Sequence, residues 1–487
     1  MEVPMTMKKV MILVYDLDRD LLKYLREENV EVVALLQGVS DEVPSFSIYD
    51  LFYRTEKLPF NVCASKPIHL SDEFMYRYLD CISRVSFVPM TEEYNTVHMG
   101  TVRADNVVDW AQFHAQTMLQ LLLHYAPDEI WLFNKPHLGI DNILVEIGKQ
   151  LGLPVLTFQQ SMMAGKFFYE RSCDKSASLE LEFTAPTTGA FKANLFYMKQ
   201  FDTMPVIERL MDRSEFYMKA PFKILFKRQR KQTIIRIYLA AQKREWASLL
   251  FIMDCLGKRT REIAFSRFLR RLRFRAGLKK RAFCHQDDLQ KPFVYFALHA
   301  QPEASTSAQG GFFMYQMNAI EAMREILPAG WWICVKENPK QRFMYRDLPF
   351  YMRMRQWPEV KFIDDSAPSE DLIEKSRIVA TITGMVGYEA LLLGKSCVFF
   401  GDAWYEGLPN AFRFNAKLDL EEISGLKGDI KKLGMAVDSK MARAADGVVF
   451  PKYKKLLHKD ANWSNLMQIT AKSLLRISDA AKLISHN

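Results

Sequence analysis

Cysteine is sparse and scattered in this sequence of 487 residues. There are seven, at positions 63, 81, 173, 255, 284, 334 and 397, and none forms a CxxC pair. The spacing therefore predicts neither a zinc knuckle nor a disulfide framework. Cys334 and Cys397 stand inside apolar runs, which favours buried, reduced thiols and a cytoplasmic compartment.

Long apolar runs are also missing. No stretch approaches the roughly 20 apolar residues of a membrane-spanning helix. Near the N-terminus the apolar run is only about six residues long and lacks a small-residue cleavage site, which argues against a signal peptide. Hydrophobic residues nevertheless make up 49% of the chain and charged residues 25%, a composition typical of a globular protein of two or three domains.

Acidic residues are scarce in one segment. The net charge is +9, from 66 Lys+Arg and 57 Asp+Glu, but residues 216–281 contain 20 Lys+Arg and three acidic residues. This local charge of +17 leaves 9 − 17 = −8 for the remainder of the chain. Apolar residues recur at helical spacing in the segment, which predicts basic amphipathic helices. Because no RNA- or DNA-binding motif accompanies them, we expect no nucleic-acid partner.

Strand and helix patterns alternate on both sides of this basic segment. Strand–helix–strand units at this spacing are typical of doubly wound parallel sheets, so the sequence predicts an α/β protein with two Rossmann-like domains. The predicted divisions are a first domain at 1–205, the basic helical segment at 206–288, a second domain at 289–450 and C-terminal helices at 451–487.

Polar residues gather after the first strand of the second domain. His299 lies near the end of the apolar run VYFALHA, and Gln301, Glu303 and Ser305 follow the run within a few residues. In open α/β sheets ligands bind at the carboxyl ends of the strands, so this cluster is a candidate binding site for a polar ligand. A simple turn with a helix cap at Ser305 is the alternative.

Two later strands of the same domain end in a similar way. Lys336 and Asn338 follow WWICV, where a lysine can meet a phosphate, although an exposed charged turn explains the pattern equally well. Thr383 and Gly384 follow IVATI and precede a helix predicted from Gly387. A helix N-terminus attracts anions, and Glu389, predicted in the first turn, is placed to accept hydrogen bonds from ribose hydroxyls.

The first domain carries a fourth cluster on two strand-end loops. His137 and Asp141 follow one strand, and Gln159, Gln160 and Ser161 follow the next. A carboxylate with a histidine nearby suits general-base or nucleophilic chemistry. Asp141 as a plain helix N-cap is the alternative.

Together these blocks resemble the bacterial capsule polysaccharide biosynthesis family that includes the β-Kdo transferases. The resemblance lies in NKPHLGIDNIL and FQQS in the first domain, and in FALHAQPEASTSAQGG, WWICVKENPKQ and TITGMVGYEALLLGKSCVFFGDAWY in the second. It implies a GT-B glycosyltransferase fold and transfer of Kdo or a related 3-deoxy-2-ulosonic acid from a CMP-activated donor. No metal and no cofactor beyond the donor substrate are implied.

The resemblance also implies roles for the residues. Gln301, Glu303, Lys336, Thr383, Gly384 and Glu389 resemble the donor nucleotide side of the family. The strand-end pattern adds His299, Ser305 and Asn338 to the predicted donor side. His137 and Asp141 resemble the catalytic side, with Asp141 as the leading carboxylate, and Gln159, Gln160 and Ser161 lie on the acceptor side. The family usually has Lys-Glu-His-Pro where this chain has Lys-Glu-Asn-Pro, with Asn338 in place of the histidine.

Several alternatives remain open. The reaction favoured by the resemblance is retaining, but inversion with Asp141 as a base fits the same residues. A UDP- or GDP-sugar donor, a polyol-phosphate donor and a non-catalytic family member are the other functions to weigh. The expected partners are the CMP-activated sugar, a saccharide or lipid-linked acceptor and the anionic inner-membrane surface, where the basic segment would dock a cytoplasmic, peripheral enzyme. A solvated helical insertion is the alternative for that segment.

Overall fold

The fold was obtained as a computed structural model of the 487-residue chain. It describes residues 7–14, 17–36, 40–46, 58–59, 68–72, 75, 107–136, 140–161, 163, 165–171, 286–299, 304–307, 309–338, 348–363, 367–450 and 462–485. The basic segment 216–281 lies outside the described residues. The predicted domain limits at 205 and 206 also fall outside them.

The described elements alternate between strands and helices. The strands are β1 (Lys8–Leu13), β2 (Val30–Leu36), β3 (Ser45–Phe46), β4 (Glu129–Leu132), β5 (Val155–Gln160), β6 (Lys166–Arg171), β7 (Phe293–Ala297), β8 (Trp332–Lys336), β9 (Val360–Ile363), β10 (Ile378–Thr381), β11 (Ser396–Phe399), β12 (Ala411–Arg413) and β13 (Ala445–Asp446). The helices are α1 (Arg19–Glu27), α2 (Val107–Tyr125), α3 (Ile140–Gln150), α4 (Ala304–Ser307), α5 (Gln316–Glu325), α6 (Leu348–Met354), α7 (Ser369–Lys375), α8 (Met385–Leu392), α9 (Leu420–Ser424), α10 (Ile430–Ala442) and α11 (Trp463–Ser485). Short 3-10 helices occupy Gln286–Gln290 and Gly311–Met314.

Two separate sheets confirm the predicted fold class of two Rossmann-like α/β units. The described residues within 1–83, 102–199 and 434–487 form the first compact unit, and the described residues within 200–433 form the second. In the first unit the strand order is β13-β6-β5-β4-β1-β2-β3, in which β5–β6 and β6–β13 are antiparallel and the other pairs parallel. The second sheet has the order β12-β11-β10-β7-β8-β9 and is parallel throughout.

Strand β1 shows why the first sheet is covered on both faces. Its apolar residues alternate between two cores, because successive side chains of a strand point to opposite faces. Val10 and Ile12 pack in a core with residues of α1 and α11, whereas Met11 and Leu13 pack in a core with residues of α2 and α3. A continuous apolar run such as KVMIL is the expected sequence of a parallel strand buried on both sides.

The C-terminal part of the chain belongs to the first unit, which differs from the division drawn from the sequence at residue 450. Strand β13 pairs with β6, and Met467, Leu474 and Ile477 of α11 are buried against the first sheet. The physical reason is that, among the described N-terminal helices, only α1 packs on this face of the sheet, so the apolar side of α11 completes the burial. Local sequence patterns carry no information about that pairing.

The described helices give one result on membrane contact. None of the helices in the described part of the chain is long and apolar enough to cross a membrane.

Candidate functional site

The candidate site of the second unit lies where the strand order reverses. From β7 the chain runs outward through β8 and β9 on one side, then returns to β10 on the other side and continues to β11 and β12. A crevice forms at such a switch point because the connections on its two sides leave in opposite directions. The predicted clusters follow β8, β7 and β10, which are adjacent strands. The structure therefore brings all three to one edge of the sheet.

His299 bridges the switch point. Its Nδ1 lies 3.3 Å from the Ser305 hydroxyl, on the chain that leaves β7. Its Nε2 lies 3.0 Å from the Thr381 hydroxyl and accepts the backbone N–H of Thr383 at 3.2 Å, on the chain that leaves β10. With only 7% of its surface exposed, the imidazole connects the two halves of the sheet from inside.

These partners define the protonation of the ring. A backbone N–H can only donate, so Nε2 of His299 must be the acceptor in its bond with Thr383. The neutral ring then carries its proton on Nδ1, where it can donate to Ser305. The tautomer is therefore assigned from the hydrogen-bond pattern.

Gln316 is a residue that the sequence patterns did not single out. It is the first residue of α5 and has no exposed surface. Its Oε1 accepts the backbone N–H of His299 at 2.8 Å, and its Nε2 donates to the carbonyl of His299 at 3.3 Å. The amide thus satisfies both backbone groups of His299 beyond the end of β7, where the sheet no longer does so.

Close backbone packing surrounds Thr383 and Gly384. The Thr383 hydroxyl donates to the carbonyl of Ser305 at 2.7 Å. A Cβ added to Gly384 would lie 2.7 Å from the Thr381 hydroxyl oxygen and 3.0 Å from Nε2 of His299. A Cβ added to Gly401 would lie 2.7 Å from Cγ2 of Thr383. Small residues are required here because neighbouring side chains pack directly against the backbone of the strand-end loops.

Lys336 ends β8 with its side chain buried. Its ammonium group donates to the Ser369 hydroxyl at 2.9 Å, and only 6% of the residue is exposed. Tyr295, one strand away, donates to the same hydroxyl at 3.3 Å. Burial raises the pKa of Tyr295 well above its usual value, the bond to Ser369 opposes the shift, and the nearby Cys334 and Glu389 add to it. The phenol therefore stays protonated beside the lysine.

Asn338 stands just past the end of β8. Its backbone N–H donates to Oε1 of Glu337 at 2.8 Å, and Oε2 of the same carboxylate accepts the Tyr351 hydroxyl at 2.6 Å. Glu337, which the sequence patterns did not select, therefore holds the turn that presents Asn338.

The prediction for Glu389 needs one correction. Helix α8 begins at Met385, with Gly384 as the N-cap, so Glu389 is its fifth residue and lies outside the first turn. The extended conformation of Gly384 (φ −68°, ψ 151°) allows the helix to begin two residues before the predicted start. Glu389 is half-buried.

Beneath α8 lies a buried pair, Tyr405 and Cys397. The Tyr405 hydroxyl donates to the carbonyl of Gly384 at 2.9 Å and supports the loop from below. Burial raises the pKa of Cys397 to about 12, although its bond with Tyr405 acts in the opposite direction. Cys397 and Cys334 are buried free thiols, which confirms what the apolar runs around them predicted.

The first-unit candidates lie at the ends of two adjacent parallel strands: Asp141 comes after β4, Gln159 and Gln160 are the last residues of β5, and Ser161 follows them. Asp141 is 1% exposed, and its Oδ1 accepts the backbone N–H of Asn142 at 2.8 Å. Helix α3 begins at Ile140, so Asp141 is its second residue and the alternative of an N-cap is wrong.

The polar end of β5 is bonded within the fold. Gln160 accepts the backbone N–H of Val449 at 2.9 Å and donates to the carbonyl of Lys166 at 2.9 Å. The Ser161 hydroxyl accepts the backbone N–H of Met163 at 2.9 Å and is 2% exposed. Gln159 is half-buried at the same strand end.

Three predicted site residues lie outside the described residues: His137, Gln301 and Glu303. Within the described ranges, no group of three or more His, Cys, Asp or Glu side chains is arranged to hold a metal ion.

Comparison with solved structures gives weak overall similarity. Thermosulfurimonas dismutans KpsC, beta Kdo 2,7 transferase, matches with a TM-score of 0.29 and 13% identity, over 68% of this chain and 80% of that one. The beta Kdo 2,4 transferase of the same KpsC has a TM-score of 0.28 and 13% identity, over 68% and 86%. Methanocaldococcus jannaschii UDP-GlcNAc 2-epimerase matches with a TM-score of 0.28 and 13% identity, over 97% and 99%. The two sheets themselves carry the fold assignment.

Comparison of sequences is more specific. FixF of Sinorhizobium fredii is 35% identical over 98 residues, which are 19% of this chain and 24% of FixF. The aligned part therefore spans about a quarter of that relative. The family model described as "Capsule polysaccharide biosynthesis protein" matches residues 310–409, which include Lys336, Thr383 and Gly384. Residues 310–409 are therefore similar to the capsule polysaccharide biosynthesis protein family, as the motifs of the second domain indicated.

Proposed function

We propose that this protein is a glycosyltransferase that moves a 3-deoxy-2-ulosonic acid, Kdo or a related acid, from a CMP-activated donor to a saccharide or lipid-linked acceptor. The observation that carries the proposal is the cluster at the switch point between β7 and β10, in the unit that contains the family match. The similarity of residues 310–409 to the capsule polysaccharide biosynthesis family supports the same proposal.

The donor side of the proposal uses the chemistry of the strand ends. Transfer breaks the bond between the anomeric carbon and a phosphate oxygen, and CMP leaves with the bonding electrons. Lys336 and the first backbone N–H groups of α8 are positive groups of the kind that stabilise a phosphate as its charge increases. The leaving group is already activated, so the protein need only stabilise the charge that develops on it. These interactions therefore accelerate transfer most if they are strongest in the transition state.

The catalytic role in the proposal falls to Asp141. As a nucleophile, its carboxylate would form a bond to the anomeric carbon and then be displaced by the acceptor hydroxyl, which gives retention. As a base, it would take the proton of the acceptor hydroxyl during direct attack, which gives inversion. The family resemblance favours the first route.

We also propose docking of the basic segment 216–281 at an anionic inner-membrane surface.

The test has a binding arm and a turnover arm. Thermal unfolding of the full chain with CMP, UMP, UDP, GDP and inorganic phosphate should show selective stabilisation by CMP. Turnover of CMP-Kdo, followed by mass spectrometry with cell-derived saccharide acceptors, should fall roughly 10²–10⁴-fold in Asp141→Asn. Stabilisation by CMP should be unchanged in that variant.

Asp128→Asn is the matched control for the turnover arm. This carboxylate accepts the backbone N–H of Lys9 at 2.8 Å, before β4 rather than after it, so its loss should leave turnover intact. Selective stabilisation by UDP or GDP would overturn the CMP donor and favour the other transferases. Full turnover in Asp141→Asn would overturn the catalytic assignment.

A further inference from the structure

We propose that His299 is a positioning residue, held by Gln316 as a neutral ring with its proton on Nδ1, and does not bind the donor through its ring nitrogens. This inference rests on the proposed function, since it concerns the way in which the same crevice is shaped. It changes the role expected for His299 and assigns one to Gln316.

The first argument is that the ring nitrogens already have partners within the protein. Nδ1 faces Ser305, and Nε2 faces Thr381 and the backbone N–H of Thr383. Gly384 leaves no gap over the ring, because a Cβ there would be 3.0 Å from Nε2. The CMP-activated sugar could reach a ring nitrogen of His299 only by breaking one of these hydrogen bonds. Breaking it would leave a buried polar group without its partner, which costs free energy.

The second argument concerns the backbone of His299. Strand β7 ends at Ala297, two residues before His299. Past this point the backbone N–H and carbonyl groups need hydrogen-bond partners outside the sheet. Gln316 supplies both, with one accepted and one donated hydrogen bond. An amide side chain is the side chain suited to this task, because it carries a donor and an acceptor side by side, as a peptide group does.

The third argument is that the hydrogen bonds among His299, Gln316, Thr381 and Thr383, here called the His299 clamp, join elements that are far apart in sequence. His299 follows β7, Thr381 ends β10 and Thr383 follows it, and Gln316 begins α5. Together they determine the distance between the loops on the two sides of the crevice. A misplacement of reacting groups by about 1 Å can cost on the order of 10²-fold in rate. The His299 clamp would therefore affect the binding and turnover of the CMP-activated sugar without contacting it.

The experiment compares Gln316→Met with Gln112→Met. Gln112 makes the same pair of bonds in the first unit, accepting the backbone N–H of Ile68 at 3.1 Å and donating to its carbonyl at 3.0 Å. Methionine is close to glutamine in size and flexibility but makes neither bond. The control Gln112→Met therefore removes an equivalent pair of side-chain-to-backbone hydrogen bonds away from the crevice.

Two measurements are made on the full chain. Nitrogen-15 spectra of histidine-labelled protein, with the His299 signal assigned by its absence in His299→Asn, should show the Nδ1-protonated tautomer. Calorimetry with CMP should show affinity roughly tenfold weaker in Gln316→Met, as expected from the loss of one well-placed hydrogen-bonded contact. Gln112→Met should bind CMP like the unmodified protein.

Each result bears on the inference separately from the proposed function. A ring protonated on Nε2 or on both nitrogens would overturn it, whether or not CMP binds. Equal weakening of CMP binding by both methionine variants would also overturn it, because it would indicate a general loss of stability. Absence of CMP binding by the unmodified protein would contradict the proposed donor, while the tautomer would still decide the role of His299.

Discussion

At the scale of the residue, burial decides the chemistry of polar groups in this chain. Lys336, His299 and Gln316 are all nearly inaccessible to water, and each is held by hydrogen bonds within the protein. The candidate residues at the strand ends were recognisable because polar side chains that follow apolar strands stand out. Gln316 was not, since a glutamine at the start of a helix is most often exposed.

His114 offers a residue-scale prediction about pH. It lies in α2 with no exposed surface, and burial lowers its pKa from the usual 6.5 to about 3. Between these values the unfolded chain binds a proton on His114 and the folded chain does not, so acid favours unfolding. The stability is complete above pH 6.5 and decreases progressively as the pH falls from 6.5 towards about 3.

The variant His114→Leu should remove this dependence. Its free energy of unfolding in urea should decrease less between pH 7 and pH 5 than that of the unmodified protein, by about 1–2 kcal/mol. His124→Leu, on the exposed side of the same helix, should keep the original slope. A His114→Leu slope equal to that of the unmodified protein would contradict the burial of a neutral ring.

At the scale of the element, apolar patterns identified most strands and helices to within a few residues. The apolar runs WWICV and IVATI, both interpreted as strands, coincide with β8 and β10 to within one residue at each end. Boundaries near glycine were less accurate, as at α8. A glycine is compatible with a turn, a cap or a helix, so only the surrounding packing decides which one it adopts.

Gly387 offers an element-scale prediction. In a helix, alanine is favoured over glycine by roughly 0.5–1 kcal/mol, but a Cβ at Gly387 would lie 2.3 Å from the Tyr405 hydroxyl and 2.6 Å from the Cys397 sulfur. Overpacking of a buried site typically costs about 1–3 kcal/mol. We therefore expect Gly387→Ala to lower the free energy of unfolding, as measured by chemical denaturation.

The control for this substitution is Gly148→Ala in α3. There the nearest atom to an added Cβ is Cδ1 of Ile130, at 2.6 Å, the end of a flexible side chain that can move away. Its loss of stability should be smaller. Combining Gly387→Ala with Tyr405→Phe should recover part of the loss, and a Gly387→Ala variant as stable as the original would show that the helix relaxes freely.

At the scale of the whole molecule, the two ends of the chain meet in the first unit. Glu129, at the start of β4, has no exposed surface and accepts hydrogen bonds from the Trp131 indole at 2.9 Å and the Ser478 hydroxyl at 2.6 Å. The ammonium groups of Lys8 and Lys482 lie 3.5 and 3.6 Å from the same carboxylate. A buried charge with this many partners connects β1, β4 and α11.

Ser478→Ala tests this connection. Removing one donor from a buried carboxylate should cost about 1–3 kcal/mol, seen as a lower midpoint of thermal unfolding. Ser424→Ala, where an exposed hydroxyl donates to the carbonyl of Glu421 at 2.8 Å, should change the midpoint little. Equal effects of the two substitutions would indicate that water replaces Ser478 without loss.

Apolar periodicity and turn residues act over short distances. Local sequence patterns were therefore enough to predict the number of α/β units, the strands that form their sheets and the strand ends that carry polar clusters. The tertiary structure alone decided that β13 and α11 complete the first unit, and that Gln316 and Tyr405 support the loops of the second. These outcomes depend on which surface another part of the chain leaves uncovered, and on which buried polar group still needs a partner. Such information exists only after the sheets have formed.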